Sequence, residues 1–370
     1  MPAALQNLRV LDLGETVAGQ FCARMLADYG AEVTLLEPPG GSVIRRIGPF
    51  DPNRPTQDLA GDSLLFFHLN LGKRSLSLDT TSEAGRRLLE SLVGKADVAI
   101  VGRDADTAAL AAANPDCIIC VVSGFGADGP WRDWQGCEIV FQALSGMMNH
   151  NGVGAREPLF GVGQRASHAA GVAAYIAVLA ALHARSRVGG QVISIDVAET
   201  ASSMWYPYAL IHAYSGWLEQ RGERGQPVGQ VKCGDGDWVC FWVKGDQWAE
   251  ACTAIARPEL AHDPRFATTV ERQKNWPAAL ALIQEAAADC TAEAFLEAWR
   301  VNRLIGAKAA RATDLFGHDP HLRARAYWDS VTTEAGARPI LGPQFRMSET
   351  PRQVRGSAPA YRAHQSEEAM

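Results

Sequence analysis

Residues 9–36, RVLDLGETVAGQFCARMLADYGAEVTLL, decide the fold of this chain. Arg9–Leu13 is a short apolar run typical of a buried strand. A helical pattern then extends from Phe21 to Tyr29 and ends at Gly30, a residue suited to the C-terminal cap of a helix. Glu32–Leu36 has the pattern of a second strand. A strand, a helix and a strand within about 30 residues form a βαβ unit, which predicts a parallel sheet with a right-handed crossover.

The alternation of helices and strands continues to about residue 200. The predicted elements are the helix Ser82–Leu92, the strand Ala96–Val101, the short helix Thr107–Ala112, the strand Cys117–Val122, the long helix Ala166–Ala184 and the strand Gln191–Val197. This order predicts an α/β fold, with a large, open, Rossmann-like parallel-sheet domain over residues 1–200 that is completed by roughly residues 330–370. The polar tail after Arg355 is expected to be loose.

The pattern changes after residue 225. Val231–Val243 predicts an antiparallel hairpin closed by Asp235-Gly236. Three helices follow, over Gln247–Ile255, Trp276–Asp289 and a segment capped by Thr291. We therefore predict a smaller α+β domain over residues 225–325, joined to the first domain by a linker over residues 201–224.

Composition and charge exclude several classes of protein. The net charge is −6 and the sequence pI is 5.9, and no basic run is interleaved with aromatic residues, so nucleic acid is not an expected partner. Met1–Asn7 lacks the pattern of a secretory signal. The longest apolar stretch, Gly171–Leu182, is shorter than the ~20 residues that span a bilayer. We expect a cytoplasmic protein with no membrane partner.

The cysteines do not predict a metal site. Cys117 and Cys120 have CxxC spacing, but they lie in an apolar run that is typical of a strand. Positions i and i+3 of a strand point to opposite faces. Without a second CxxC or a suitably spaced pair of histidines, we expect no bound metal.

The turn after the first strand does not by itself indicate a nucleotide. Gly14–Phe21 has the glycine spacing of a P-loop but lacks the Lys-Ser/Thr pair that contacts phosphate and magnesium. It also lacks G-x-G-x-x-G, although Glu37 ends the second strand where an acid that binds ribose would stand. A structural turn is the favoured interpretation of the residues alone.

Taken together, a series of segments identifies a family. The segments are residues 11–13 with 18–19, 26–33, 37–41, 70–79 (NLGKRSLSLD), 123–130 (SGFGADGP), 181–185, 189–191, 263–266, 319–322 and 358–359. Through them the chain resembles, almost from end to end, the family III CoA-transferases. This CaiB/BaiF-like group includes formyl-CoA and carnitine CoA-transferases and α-methylacyl-CoA racemases.

The resemblance implies a large and a small domain, and an interlocked dimer in which two chains thread through one another like links. It also implies coenzyme A or an acyl-CoA as substrate, bound against the first βα turn. The residues that it places near CoA are Thr16, Val17, Asn70, Lys73, Arg74 and Arg103. Lys73 and Arg74 have the charge to bind phosphates, and a solvated basic turn is the alternative.

The residue at the family's catalytic position is a serine. The family motif Asp-x-x-Ala-Gly reads Ser167-His168-Ala169-Ala170-Gly171 here. In the transferases the aspartate attacks the thioester to form a mixed anhydride, and CoA thiolate then attacks the enzyme's own carbonyl. An acylated serine has no such carbonyl, and the hydroxyl needs a base. His168 projects about 100° away on a helix and is poorly placed to be that base. Standard aspartate-dependent catalysis by this chain alone is not expected.

The racemase reaction is disfavoured as well. Its catalytic histidine lies in a Gly-His-Asp-Ile motif, which here reads Gly136-Cys137-Glu138-Ile139. Cys137 therefore replaces the histidine. Glu138 keeps an acid, but a single carboxylate cannot remove an α-proton from one face and return it to the other.

Three hypotheses remain open. The chain is a subunit without its own nucleophile, in a homodimer or in a heteromer with a paralogous CoA-transferase that supplies the aspartate. Alternatively, it is a divergent lyase, hydrolase or isomerase of acyl-CoA that uses Glu138, His168, Cys137 or His150. The third hypothesis is a protein that binds CoA or acyl-CoA without catalysis.

Overall fold

In the computed structural model the described residues are 2–52, 63–152, 154–204, 206–218, 221, 228–333 and 336–365. The chain divides into two compact units, a large one formed by residues 1–219 with 326–370, and a small one formed by residues 220–325.

The first part of the large unit alternates strands and helices. In chain order it contains β1 (Arg9–Asp12), α1 (Val17–Asp28), β2 (Glu32–Glu37), a short 3₁₀ helix (Val43–Arg46), α2 (Leu64–Asn70), β3 (Arg74–Ser77), α3 (Glu83–Val93), β4 (Val98–Val101), α4 (Thr107–Ala113), β5 (Ile118–Ser123), α5 (Glu138–Leu144), α6 (Met147–His150), α7 (Arg165–Val188), β6 (Val192–Asp196), α8 (Val197–Ser203) and α9 (Tyr206–Ser215).

These strands form one parallel sheet of six in the order β3-β2-β1-β4-β5-β6. The predicted α/β fold with a parallel sheet is confirmed. All residues of β4 and β5 are buried, because helices cover both faces of the sheet. The direction of winding reverses between β1 and β4, so the loops that follow these two strands diverge. A crevice for a ligand forms at such a reversal, at the carboxyl ends of the strands.

Helices α1 and α7 share the core of one face, whereas α3 and α4 cover the other face. The approach of α1 to α7 depends on Gly171, since a Cβ atom there would lie 2.8 Å from the carbonyl oxygen of Ala18. Helix α1 begins at Val17, four residues before the predicted start at Phe21. The reason is Thr16, whose hydroxyl caps the helix by accepting a hydrogen bond from the amide of Gly19 at 3.1 Å.

Helix α7 has 24 residues and is long and apolar enough to cross a membrane by length and composition. It is longer than the apolar stretch Gly171–Leu182 on which the expectation of no spanning segment rests. Ala166, Ala170 and Ala174 of α7 are fully buried in the core shared with α1. This packing is the packing of a core helix in a globular domain.

The predicted linker over residues 201–224 contains regular structure, because α8 ends within it and the whole of α9 lies in it. Residues 205, 219–220 and 222–224 of this segment lie outside the described part of the chain.

The small unit packs helices on an antiparallel sheet. It contains β7 (Val228–Lys232), β8 (Trp238–Trp242), α10 (Trp248–Ala254), α11 (Thr269–Lys274), α12 (Trp276–Ala288), α13 (Ala292–Val301), β9 (Ile305–Lys308), α14 (Ala312–Leu315) and α15 (Pro320–Ala324). The predicted hairpin is confirmed as β7 and β8, and β9 extends the sheet. Thr291 caps α13 as predicted, since its hydroxyl accepts a hydrogen bond from the amide of Ala294.

The chain returns to the large unit with a hairpin, β10 (Asp329–Thr333) and β11 (Gly336–Ile340). The tail after Arg355 is not loose over its described residues, 356–365, which corrects the expectation for this part of the chain. His364 exchanges hydrogen bonds with Ser75, through its own amide and its ring nitrogen Nδ1. The side-chain amide of Gln365 bonds to both the amide and the carbonyl of Ser77. The tail therefore covers the open edge of β3.

Candidate active site

A cavity of about 550 Å³ lies at the carboxyl edge of the sheet, where the winding reverses. Its walls come from the ends of β1, β2 and β4 and from α3 and α4. The residues that line it are Leu13, Gly14, Glu15, Gln20, Leu35, Leu36, Pro38, Ser42, Leu78, Thr80, Arg86, Leu89, Glu90, Val101, Gly102, Asp104, Ala105, Asp106, Ala109 and Leu110. Leucine and valine side chains form an apolar wall, and charged residues stand among them.

Thr16 and Val17, two of the residues predicted near CoA, form the end of the first βα turn. Thr16 caps α1, and Val17 is buried as the first residue of this helix. The turn adjoins the cavity through Gly14 and Glu15. The predicted contact of Thr16 and Val17 with CoA stays a prediction, and the structure places both residues next to the cavity.

Lys73 lies inside the protein, beneath this turn. Its ammonium group is fully buried and donates hydrogen bonds to Asp12 Oδ2 at 2.8 Å, to Asn70 Oδ1 at 2.8 Å and to the carbonyl of Gln20 at 2.9 Å. Burial lowers the pKa of Lys73, and the charge of Asp12 opposes that shift. All three ammonium protons are thus donated within the protein. Donation from Lys73 to a CoA phosphate would require this network to open.

Asn70 belongs to the same buried network. Its side-chain amide donates to Gln20 Oε1 at 2.8 Å and to the carbonyl of Phe66 at 3.0 Å. Gln20 in turn donates to the carbonyl of Gly14 and to Ser42 Oγ. Asn70 and Lys73 therefore support the turn that faces the cavity through buried hydrogen bonds. The spacing of these residues in the sequence could not distinguish this role from direct contact with a ligand.

The two predicted arginines lie at different places. Arg74 is the first residue of β3 and is half-buried, paired in register with Thr34 of β2. Arg103 is exposed in the loop after β4, directly after Gly102 of the cavity wall. Its guanidinium contacts the carboxylate of Asp104 at 3.5 Å and the carbonyl of Arg132.

Ser167 and Glu138, predicted as site residues from separate motifs, are in direct contact. Ser167 lies in the first turn of α7, and its hydroxyl donates to Glu138 Oε2 at 2.7 Å. The backbone amides of Ala166 and Ser167 donate to the same carboxylate at 2.7 and 3.1 Å. Both side chains are buried. Glu138 therefore satisfies the start of α7 and complements the positive end of its dipole.

Gln142 completes this arrangement and was not predicted. One turn after Glu138 on α5, its side-chain amide donates to Glu138 Oε1 at 2.8 Å and pairs with the backbone of Gly161. The i, i+4 spacing of an acid and a glutamine was the available signal in the sequence. With Gln142, four donors surround the Glu138 carboxylate.

His168 is not part of the network around Ser167 and Glu138. Its Nδ1 lies 2.7 Å from the carbonyl of Gln164, and its ring packs edge-on against Phe21 at 4.6 Å. His68 of α2 lies near it, with ring centroids 6.1 Å apart. Burial, with the charge of Arg24, lowers the pKa of His68 to about 4. The structure thus favours a packing role for His168.

The other two alternatives, Cys137 and His150, lie on or beside other helices. Cys137 is exposed and precedes α5 without capping it through its side chain. His150 ends α6, and its ring packs against Tyr208 with centroids 4.5 Å apart. Within the described residues, no group of three or more His, Cys, Asp or Glu is placed to hold a metal ion.

Fold and site together define a doubly wound α/β protein. It has a cavity where the winding of its sheet reverses, and a serine in the first turn of a core helix whose start is capped by a glutamate. The family model described as CoA-transferase family III matches residues 5–365, and the chain belongs to this family. Members act on CoA thioesters.

Similar proteins support this assignment. The chain is 30% identical to the succinyl-CoA–D-citramalate CoA-transferase of Chloroflexus aurantiacus, over 99% of this chain and 93% of that protein. It is 28% identical to the succinyl-CoA–L-malate CoA-transferase beta subunit of the same organism, over 98% and 92% of the two chains. The crystal structure of a CaiB/BaiF family protein from Brucella suis superposes with a TM-score of 0.86 at 27% identity, covering 99% of this chain and 98% of that one.

Replacement of Lys73 by methionine should destabilise the large unit by about 3–5 kcal/mol, because Asp12 is then left buried without its counter-charge. The free energy of unfolding in urea measures this loss. Arg87 is a matched control, since its pair with Glu83 is exposed and Arg87→Met should change stability by less than about 0.5 kcal/mol. Equal effects of the two substitutions would show that the Lys73 network is not required.

Glu138→Ala should cost about 2–4 kcal/mol of unfolding free energy, because it strands two amides and a hydroxyl at the buried start of α7. Ser167→Ala removes only one hydrogen bond and should cost about 0.5–1.5 kcal/mol. Both losses are measured by urea unfolding. A loss for Glu138→Ala as small as that for Ser167→Ala contradicts the capping role.

Stability should fall between pH 6.5 and pH 4 because of His68. The unfolded chain takes up a proton on this ring near pH 6.5, whereas the folded chain resists protonation down to about pH 4. Above pH 6.5 the ring is neutral in both states and contributes no slope. Relative to wild type, His68→Gln should retain about 2–3 kcal/mol more of its stability on going from pH 7 to pH 4.5. The exposed His183 supplies the control His183→Gln, which should keep the wild-type slope.

Proposed function

We propose that this chain is the subunit of a family III CoA-transferase that binds CoA but lacks the nucleophile, and that a paralogous chain supplies the aspartate. The proposal rests on the burial and hydrogen bonding of Ser167. Its hydroxyl is buried and donates to Glu138, which stands among four donors. Neither group is a free carboxylate that can attack a thioester.

The chemistry of the transfer explains why the serine is decisive. Attack by a carboxylate on acyl-CoA expels CoA thiolate and forms a mixed anhydride. CoA thiolate then attacks the enzyme's own carbonyl carbon, which releases the donor carboxylate and leaves CoA on the enzyme as a thioester. The acceptor carboxylate attacks the same carbon, expels the thiolate and forms a second anhydride. The thiolate finally attacks the acceptor's carbonyl, which gives the new acyl-CoA and frees the aspartate. A serine ester has only the substrate carbonyl, so CoA cannot be held on the enzyme as a thioester. Transfer from that ester to a carboxylate would form an anhydride, which is uphill.

Glu138 does not replace the missing aspartate. Its carboxylate holds the first amides of α7, and a shift towards a bound thioester would leave those amides unsatisfied at a buried position. The hydrogen bonds of this carboxylate are therefore required by the fold. The family scaffold, by contrast, is intact over residues 5–365, which supports retained CoA binding.

A heteromer is supported by the relatives as well. One of them is named as the beta subunit of a succinyl-CoA–L-malate CoA-transferase, and others are named for succinyl-CoA as a substrate. We propose that this chain pairs with an aspartate-bearing paralogue in the cytoplasm, and that succinyl-CoA is the first acyl-CoA to test.

A second function is favoured by the contact of 2.7 Å between Ser167 Oγ and Glu138 Oε2. A hydroxyl on a carboxylate is the arrangement of a nucleophile beside a base. It would support hydrolysis of an acyl-CoA through an acyl-serine, with water as the final acceptor. The hydrogen bonds that already surround Glu138 disfavour this use of the carboxylate.

Co-expression with a paralogue that retains Asp-x-x-Ala-Gly should give a heteromer that exchanges CoA between succinyl-CoA and free carboxylates, because that chain brings the nucleophile. Size-exclusion chromatography with light scattering measures the assembly, and mass spectrometry of the thioesters measures exchange. This chain alone should show at least about 1,000-fold less exchange, the scale expected when a covalent nucleophile is missing.

Two substitutions separate the alternatives. Aspartate→Ser in the paralogue should abolish exchange, whereas Ser167→Ala in this chain should leave it within about threefold, since a single neutral hydrogen bond is lost. Full exchange by this chain alone contradicts the proposal. Release of free CoA by this chain alone, lost in Ser167→Ala, would instead establish hydrolysis.

A further inference from the structure

Two cysteines of the small unit belong to one hydrophobic core. Cys233 follows β7 and is buried in the core that the sheet forms with α10, α12 and α13. Cys290 lies just after the end of α12 and packs against the same core, where it is partly accessible. Both side chains are free thiols. The fold therefore brings together two thiols that are far apart in the sequence.

A backbone hydrogen bond holds these two residues beside each other. The amide of Gly234 donates to the carbonyl of Cys290 at 2.8 Å. With standard peptide dimensions, this bond places the Cα atoms of Cys233 and Cys290 roughly 4–6.5 Å apart. A disulfide requires about 4.4–6.8 Å between these atoms. The backbone therefore needs no large movement to accept a bridge between the two cysteines.

The approach of the two segments is fixed on both sides of Cys233. After it, Gly234 permits the contact, because a Cβ atom there would lie 2.6 Å from the carbonyl oxygen of Ala288. Before it, the side-chain amide of Gln284 in α12 pairs with the amide and the carbonyl of Lys232 in β7, at 2.9 and 2.8 Å. The end of β7 is thus tied to α12 independently of either thiol.

The thiol of Cys290 is held by weak contacts. Its Sγ lies 3.6 Å from the carbonyl oxygen of Ala286 and 3.7 Å from that of Ala287. A thiol is a weak hydrogen-bond donor. These contacts therefore leave the side chain able to rotate about its Cα–Cβ bond between staggered positions.

The carboxylate of Asp235 affects how readily the thiols react. It accepts a hydrogen bond from the amide of Ala292 at 2.9 Å, which keeps it close to both cysteines. Burial, and then the charge of Asp235, raises the pKa of Cys290. Burial raises the pKa of Cys233 as well, with contributions from Cys290 and Asp235. Because the thiolate is the nucleophile, both thiols react slowly at neutral pH and faster in alkali.

We propose that Cys233 and Cys290 form a modification site for peroxides, at which hydrogen peroxide converts the two thiols into a reversible disulfide. The thiolate of Cys290 attacks one peroxide oxygen, the O–O bond breaks and hydroxide leaves, which gives a sulfenic acid on Cys290. The thiolate of Cys233 attacks that sulfur and expels a second hydroxide. The two thiol protons convert both hydroxides to water, so the pair loses two electrons and the peroxide gains them.

The bridge joins the end of β7 to the end of α12 and closes a loop that contains β8 and α10 to α12. This inference does not depend on the proposed function, because every residue that carries it lies in the small unit.

The test treats the purified full-length chain with hydrogen peroxide, blocks the remaining thiols with N-ethylmaleimide and maps linked peptides by mass spectrometry. A peptide pair linked through Cys233 and Cys290 should form about tenfold faster for each pH unit below the thiol pKa, and dithiothreitol should remove it. Cys137→Ser removes an exposed thiol and should leave this rate within about twofold. Cys22 and Cys120 are fully buried in the large unit and should stay reduced.

A substitution beside the pair gives a second readout. Asp235→Asn removes the charge but keeps an oxygen for the amide of Ala292, so it should speed the linkage by roughly two- to tenfold near neutral pH. In Cys233→Ser, Cys290 should instead accumulate as a sulfenic acid that dimedone labels.

Three results overturn the proposal, and all of them are measured on the wild-type chain. The first is a sulfenic acid on Cys290 that accumulates without the linked peptide, because the two sulfurs then do not meet. The second is linkage of either cysteine to a different cysteine. The third is resistance of both thiols to peroxide in alkali.

Discussion

The buried ion pair between Asp12 and Lys73 is the constraint on which the large unit depends. Asp12 ends β1, and its second oxygen accepts the amide of Gly14 at 2.9 Å, so one carboxylate both neutralises Lys73 and shapes the turn. Lys73 binds the carbonyl of Gln20 in α1 as well. Strand, turn, helix and the segment before β3 are thus tied at one point. The turn that borders the cavity is set by the fold before any ligand arrives, which reduces the entropy lost on binding.

The start of α7 is likewise held by a buried carboxylate, that of Glu138. Glu138 holds the first amides of the helix, and Ser167 adds a hydroxyl to it without being needed for the cap. The cap of α7 therefore does not depend on which side chain stands at position 167. The helix, its packing on α1 and the cavity therefore form with a serine at position 167, as the proposed function requires.

The sequence predicted the parallel sheet and most of its elements, because apolar runs and capping residues are local signals. It predicted the contact partners Ser167 and Glu138 only as separate motif positions, since 29 residues divide them. Local patterns could not show that Lys73 and Asn70 point inward, because a basic segment after a helix is typical of both a buried and a solvated turn. The start of α1 was missed for a related reason: Thr16 was considered as a ligand contact and is the cap. Arg86 was not singled out, since only the folded position of α3 brings it to the cavity.

The tail that covers β3 has a consequence for how the protein is made. The small unit, residues 220–325, is inserted between the two parts of the large unit. The hydrogen bonds that close the edge of β3 come from residues 364 and 365. During synthesis, the whole small unit must therefore be translated before residues 364 and 365 can form hydrogen bonds with β3, the outer strand of the sheet. Until then the nascent sheet carries an open edge, the feature through which strands of different chains associate.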